Sequence, residues 1–494
     1  MNKPIYVAHT SGRTHRLITA FIVLVLVGWA FSASAQSVTN LYSFVGNSSD
    51  GGDSQSALVQ GSDGNFYGTA TGVYFPLGTN NYGTVFRISP SGSFTNLCSF
   101  KSSNGAYPFA AVLQGRDGNF YGTTEAGGTS NRGTVFRINP TSGLTNLYSF
   151  GVSSGDGKSP LAPLVQGSDG NFYGVTHGGG SSTNCGSSGC GTVFRISPSG
   201  NETKLYSFVG PPSDGANPNI AGLVQGSDGN FYGTTSFGGT YNGGIVFRIT
   251  PNGNCTNLHS FGSSTTDATE PEGTLVQSSD GNFYGMTIGG GGHFPGGYGT
   301  VFRISPSGNY TNLYSFIGPP SDGRNPDDGL MQGSDGNFYG TTQSGGTSDH
   351  GTIFRISPSG SYTNLHSFGS FAGDGIEPDA GLIQGSDGYF YGTTASGGIN
   401  NSGTVYRLSI PLNPPPYPIN QITGIQLSGT NFVFTIPSIA YETYQLQFTS
   451  SMNPTNWVNV PTVSVTNSIG ALLTLTNFGG ALQPQGFYRF DITP

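Results

Sequence analysis

Apolar residues in this chain fall into short runs separated by turns rich in Gly, Ser, Asn and Pro, and the same order of runs returns seven times. The anchor phrase is Gly-Ser-Asp-Gly-Asn-Phe-Tyr-Gly at 61–68. Its aspartate recurs at Asp117, Asp169, Asp228, Asp280, Asp335 and Asp387, in steps of 54, 52, 59, 52, 55 and 52 residues. The second unit shows the pattern well, with runs at 111–114, 119–124, 133–139 and 144–150. Gly115-Arg116-Asp117-Gly118 joins the first pair and Pro140-Thr141-Ser142-Gly143 the last pair. Both are strong turn chemistry, since Gly takes positive φ and Pro presets the first corner. Four antiparallel strands per unit predict the blade of a β-propeller.

Patterning within the third strand agrees. Val85-Phe86-Arg87-Ile88 and its equivalents put apolar side chains on both faces, as expected of a sheet packed between two neighbours. The glycine after each Phe-Tyr lets adjacent sheets approach closely. A linear solenoid would share these features, so the ends of the array discriminate. The fourth-strand phrase Thr-Asn-Leu-Tyr-Ser-Phe first occurs at 39–44, ahead of any first strand, and the last unit stops after its third strand at 403–409. Seven complete sets exist only if the early strand completes the last blade, which leaves no open edge. The expected fold is therefore all-β: a seven-bladed propeller closed by its N-terminal strand.

The remaining organisation follows from composition. Residues 1–35 read as an export signal rather than an uncleaved anchor, with Lys3, Arg13 and Arg16, an apolar run and Ala33-Ser34-Ala35 before Gln36. The propeller is expected over 36–410, a proline-rich linker over 411–419, and a C-terminal β-sandwich-like domain over 420–494. With 82 glycines, 9% charged and 12% aromatic residues, the chain is folded and strand-rich rather than disordered. Once Lys3, Arg13 and Arg16 are removed, 14 basic face 25 acidic residues, a net −11. That charge disfavours nucleic acid and anionic lipid as partners. No segment after the signal could span a membrane as a helix, and a monomer is expected.

The residues at 39–409 resemble the GloVer-type (choice-of-anchor) tandem-repeat exported bacterial proteins. The resemblance rests on seven copies of the Gly-x-Asp-Gly-x-Phe-Tyr-Gly and Gly-Thr-Val-Phe-Arg-Ile type, with Ser278 and Tyr389 as departures. It implies a surface or extracellular location and carries no catalytic residues with it.

Candidate chemistry divides by face of the disc. The first-to-second and third-to-fourth turns share one face and are tight; the second-to-third and fourth-to-first connections share the other and vary. Variation on one face of a rigid scaffold is where binding usually resides. Tyr74, Phe75, His177, His293, Phe294 and His350 lie in these connections and are the candidate ligand-binding residues. Cys185 and Cys190 share one of the loops, and an exported chain would bridge them, while Cys98 and Cys255 read as free thiols. No metal-ligand spacing is present, and no cofactor is expected.

The repeated Asp63, Asp117, Asp169, Asp228, Asp280, Asp335 and Asp387 lie on the tight-turn side. So do Arg87, Arg137, Arg195, Arg248, Arg303, Arg355 and Arg407. Sevenfold recurrence marks both as scaffold, each blade holding either an Asp–Arg pair or an aspartate bonded to its own turn. A second acid, as at Asp214, Asp322 and Asp374, could face Ca²⁺, but asparagine replaces it at Asn104 and no contiguous calcium loop exists, so it reads as a turn former. The expected function is non-catalytic binding of an extracellular ligand, glycan foremost. A polysaccharide lyase or hydrolase using axial carboxylates, or a purely structural surface protein, are the alternatives.

Overall fold

The computed structural model describes residues 37–72, 81–140, 143–264, 266–292 and 297–410, together with six strands between 424 and 493. The expected export signal and proline-rich linker lie outside the described residues. Residues 37–410 belong to one compact unit, and the six strands between 424 and 493 to a second.

The first unit is the seven-bladed propeller. Each blade is a four-stranded antiparallel sheet, as in blade two with Leu113–Gln114, Phe120–Thr124, Thr134–Asn139 and Gly143–Ser149. The first strand is shorter than the run predicting it, because its leading residues turn into the axial connection. In the last blade the chain supplies Ile383–Gln384, Phe390–Thr394 and Thr404–Ser409. The fourth place is filled by Ser37–Ser43, paired antiparallel from Ser37↔Ser409 to Ser43↔Thr404. The ring is closed as the chain ends demand.

The core lies between blades rather than within them. One cluster joins Phe44, Tyr391 and Val405 of the last blade to Leu58, Phe66, Phe86 and Ile88 of the first. Within it Tyr391 stacks on Phe66 at 4.0 Å between ring centroids. The same Tyr-on-next-Phe stack recurs at every blade junction, at 3.9 to 4.3 Å. Alternation along a strand places Phe and Tyr of one dipeptide on opposite faces, so each dipeptide serves both neighbours. The glycine that follows is obligatory: a Cβ on Gly68 would sit 2.6 Å from the Phe86 ring and 2.8 Å from Leu58.

A feature the repeat pattern did not disclose lies on the variable face. In blades three to seven the fourth-to-first and second-to-third connections pair as two-stranded ribbons, such as Gly157–Lys158 with Gly178–Gly179. Blade two has the isolated bridge Ala106↔Ala126 at the same place. These segments are glycine-rich and offer no alternation for the eye, yet the ribbons tie the two connections of a blade together.

The second unit contains two three-stranded antiparallel sheets. Asn431–Pro437 lies between Gly424–Ser428 and Leu472–Asn477, and Thr443–Thr449 between Val458–Thr466 and Phe487–Thr493.

Removing the closing stack tests this account. Tyr391→Ala should lower unfolding stability by about 3–5 kcal/mol, the usual loss for a buried ring. Tyr391→Phe, which keeps the ring and loses only its bond to Asp387, should cost about 1–2 kcal/mol. Equal losses in urea titration would show that the stack adds nothing.

Candidate functional site

The tight-turn face is built from the repeated residues, used identically around the ring. Asp63 accepts the Asn65 backbone N–H at 3.1 Å, the Asn65 side-chain amide at 2.7 Å and the Tyr67 hydroxyl at 2.9 Å. The same hydroxyl-to-aspartate bond occurs at Asp117, Asp169, Asp228, Asp280, Asp335 and Asp387. Burial pushes the Asp63 carboxyl up, but bonds from Asn65 and Tyr67 together outweigh it and hold it below its ordinary value, with Arg87 adding to this. Of the two expected arrangements, the turn-bonded aspartate is the one present. None of the seven Asp–Arg pairs forms a salt bridge among the described residues; the ion pairs there are Arg324–Asp349 and His366–Asp374. The arginines lie near the tyrosine hydroxyls instead, and Arg407 also caps the Tyr389 ring at 4.7 Å.

The second acidic position is likewise consumed internally. Asp214 accepts from the Tyr206 hydroxyl and from the Val209 and Gly215 N–H groups, at 2.8–2.9 Å, and Asp322 repeats the set. These oxygens brace the connection leading into each blade. Asp374 holds the Ser370 N–H and hydroxyl, with His366 at 3.3 Å.

The variable face differs in kind. Just before each first strand, one residue adopts a left-handed backbone: Asp53, Tyr107, Ser159, Asn217, Glu270, Asn325 and Glu377, with φ between 53° and 58°. Its N–H donates to the preceding blade, as from Glu377 to the His350 carbonyl and from Asp53 to that of Ser402. Its carbonyl accepts from the residue after its own second strand, as from Gln343 to Asn325. With both backbone groups fixed, a conformation costing about 1–3 kcal/mol is held in place at the same point of every blade. The residues that follow line an axial cavity of ≈ 300 Å³, to which all seven blades contribute.

That lining is not sevenfold in chemistry. Phe109 and Leu161 stand in blades two and three, whereas Asp327 and Asp379 stand in blades six and seven, with Glu272 beside them from blade five. The carboxyls of Glu272 and Asp327 lie side by side, and burial pushes both above the usual carboxylate range. Burial first, then the charges of Glu272, Asp379 and Asp328, push Asp327 well above the usual carboxylate range. Burial and the charges of Glu377, Asp53 and Asp328 push Asp379 up to about 7, against the opposing bond from Gln343. Its Oδ1 is buried with no partner. Asp328 is different: its oxygens accept the Gly329 N–H at 2.5 Å and the Gly381 N–H at 2.6 Å, clamping blade six to blade seven.

Sequence reasoning missed Glu272, Asp327 and Asp379, although a signal existed. Aligned on the axial proline, replaced by Ser54 in blade one, the next residue reads Gln55, Phe109, Leu161, Asn219, Glu272, Asp327 and Asp379. It is a fixed position carrying changing chemistry. Among the residues that were expected, His177 is half-buried in blade three, burial lowering its imidazole below the ordinary value and leaving Nδ1 without a partner. His350 is exposed in blade six. Tyr74, Phe75, His293 and Phe294 lie outside the described residues. Among the described residues no group of three or more His, Cys, Asp or Glu is arranged to hold a metal ion. Cys185 and Cys190 form a disulfide with Cα atoms 5.1 Å apart, and Cys98 and Cys255 are free.

The sequence model of the Gloeobacter/Verrucomicrobia repeat matches residues 27–187 and 182–406. The chain belongs to this family. No curated protein matches it. Among solved structures, this Gloeobacter/Verrucomicrobia repeat protein is similar to the extracellular domain of a hybrid two-component system from B. thetaiotaomicron, at 12% identity and TM-score 0.49 over 90% of this chain. The match spans 57% of that domain's length. It is also similar to the BP39L lectin from Burkholderia pseudomallei (11% identity, TM-score 0.47, 74% of this chain and 99% of that one). A third likeness is to a glycoside hydrolase family 43 arabinoxylan arabinofuranohydrolase from Bacillus subtilis (14%, TM-score 0.38, 92% and 96%). At these scores the likenesses carry no weight for function. No helix among the described residues is long and apolar enough to cross a membrane.

The axial acids have a measurable signature. Asp379 in the folded protein keeps its proton up to about pH 7, whereas in the unfolded chain it loses it near 3.8. The folded state binds more protons between these values, so this group's contribution to stability falls as pH rises from 4 to 7. Asp379→Asn should therefore gain melting temperature over the parent at pH 8 and not at pH 4. A constant difference across that range would refute the shift.

Proposed function

We propose that this protein is an exported, non-catalytic propeller that binds a polysaccharide across its variable face. One observation carries the reading. Nine large apolar side chains are exposed among the described residues, and eight of them (all but Tyr389) belong to the second-to-third or fourth-to-first connections. Phe237 and Tyr241 project from blade four at 41% and 54% exposure, and Phe371 and Ile399 from blade seven at 47% and 85%. Rings presented beside Ser, Thr and Asn suit sugars, whose C–H faces stack on aromatics while their hydroxyls seek hydrogen bonds. Apolar surface gathered on one face of a monomeric scaffold is otherwise a liability in water. The Cys185–Cys190 bridge suits an oxidising compartment, in keeping with export. The C-terminal strands, read as a small β-sandwich, fit an accessory or attachment module.

A specific observation favours a second reading, a polysaccharide hydrolase or lyase. Glu272, Asp327 and Asp379 gather at the axial cavity, where burial pushes all three carboxyls up, Asp379 to about 7, and glycosidic cleavage calls for a carboxyl kept protonated near neutral pH.

A glycan panel on the mature protein, run beside a reducing-end assay, separates the two. Binding without product release, weakened about tenfold or more by Phe237→Ala with Tyr241→Ala, is the expected outcome. Product release that disappears in Glu272→Gln and in Asp327→Asn would replace binding with catalysis. Failure of every polysaccharide to bind would overturn both.

A further inference from the structure

Positive charge is scarce and mostly committed on this molecule. Of the 14 basic residues after the leader, seven are the repeated arginines of the tight-turn face. Three of the other seven, Arg132, Lys158 and Lys204, line a single open cleft of ≈ 520 Å³ on the variable face at blade three. Its walls are the connection leading into that blade and the glycine- and serine-rich loop closed by the Cys185–Cys190 disulfide.

The cations are held ready rather than neutralised. Lys158 Nζ donates to the Ser187 carbonyl at 2.8 Å, and Lys204 Nζ to that of Gly155 at 2.7 Å. An ammonium has three donors, so two remain on each, and the Arg132 guanidinium is exposed with no ion pair among the described residues. The contrast with blade six is informative. Arg324 stands at the repeat position of Lys158, and its fork is taken up by Asp349 at 2.9 and 3.1 Å. Blade three has a serine–glycine loop there, with no carboxylate.

The acids nearby do not cancel the patch. Asp156 is occupied by the Tyr148 hydroxyl and the N–H groups of Gly151, Val152 and Gly157. Glu202 is half-buried, and burial with the charge of Asp156 pushes it up to about 7 against the opposing charge of Lys204, so it is partly neutral at physiological pH. The frame is stiff: the ribbon and the disulfide fix both walls, and a Cβ on Gly179 would collide with the Asp156–Gly157 backbone, one on Gly189 with the Gly179 backbone of its own loop. Val152, exposed on the same connection, adds an apolar shoulder.

We propose that this cleft is an anion subsite that takes the carboxylate or sulfate group of an acidic polysaccharide. It rests on the polysaccharide-binding reading and narrows it to a substrate class. Two ammonium groups and a guanidinium converge on one cleft in a chain of net negative charge, so the anion is recognised locally, through charge-assisted bonds, and not by long-range attraction.

The test uses the full mature chain with four probes: oligogalacturonate, dextran sulfate, neutral dextran and inorganic sulfate. At least one of the two acidic polymers should bind, more weakly as salt rises, and the pair tells carboxylate from sulfate. Lys158→Gln and Lys204→Gln keep a donor for the loop bond, so the walls stay tied. With unchanged melting temperatures, each should weaken acidic-polymer binding roughly tenfold, and Arg132→Gln likewise. Acidic binding unaffected by all three variants would overturn the subsite, as would binding of neutral dextran alone, which leaves the polysaccharide reading standing. Conversely, a melting-temperature rise with inorganic sulfate that needs Lys158, without binding of any polymer, would keep the subsite and remove polysaccharide as its ligand. No response to any probe would sink both.

Discussion

Everything in the propeller is referred to one contact, the stack of a tyrosine on the phenylalanine of the next blade. It occurs at all seven junctions with centroids near 4 Å, and the last, Tyr391 on Phe66, joins the end of the array to its start. A stack of this kind is worth more than its buried area, yet its larger role is geometric. The following glycine leaves room for the ring of the facing residue on the next strand of its own blade, which packs into the junction, and the turn aspartate receives the tyrosine hydroxyl once the ring is placed. Glutamines add polar clamps across the junctions, with the Ser386 N–H donating to Gln60 at 2.9 Å where the circle closes. Residues that look like chemistry in the sequence are thus the fittings of an aromatic ring.

Such a scaffold separates what must repeat from what is free to differ. The tight-turn face is spent on fittings. On the other face, the left-handed residue before each first strand is fixed through its backbone in every blade, while its side chain ranges from Tyr107 through Asn217 to Glu377. The backbone guarantees the position, and the sequence chooses the chemistry. The two-residue ribbons extend that rule outward, because they hold the connections by main-chain bonds and leave side chains at liberty.

How much of this was legible follows from what each element depends on. Strands, tight turns and closure could be read because they rest on period, on turn residues and on a strand phrase without a partner at 39–44. The ribbons could not, since Gly178–Gly179 and Gly289–Gly290 have no side chains to alternate. Tyr67, Tyr121 and their equivalents are visible as a repeat, and the turn-bonded aspartate is one of the two arrangements the sequence leaves open. The tyrosine hydroxyl as a further donor to it is in neither, because charge and turn chemistry do not point to a ring one strand away. The axial acids were hidden by the same repetition that exposed the fold. Attention to what recurs passes over Glu272, Asp327 and Asp379, whose importance lies in interrupting a column that holds Phe109 and Leu161 elsewhere.

That interruption is hard to explain as scaffold. Grouping half-buried carboxyls raises their proton affinity and costs folding stability near neutral pH, and four blades build the same mouth without an acid at that position. Asp328 shows what a structural acid looks like here, with both oxygens taken by backbone N–H groups across a blade junction. Asp379 has a buried oxygen with nothing to accept, and Asp327 faces another carboxyl. Perturbed carboxyls gathered in one cavity are candidates for a functional site. On the same face Arg132, Lys158 and Lys204 supply the opposite sign at blade three. A single extended ligand lying across the disc would therefore meet proton-holding acids at the axis and fixed cations nearby, with exposed rings between blades four and seven. An uncharged, featureless polymer would use little of that arrangement; one bearing hydroxyls and anionic groups along its length would use it all.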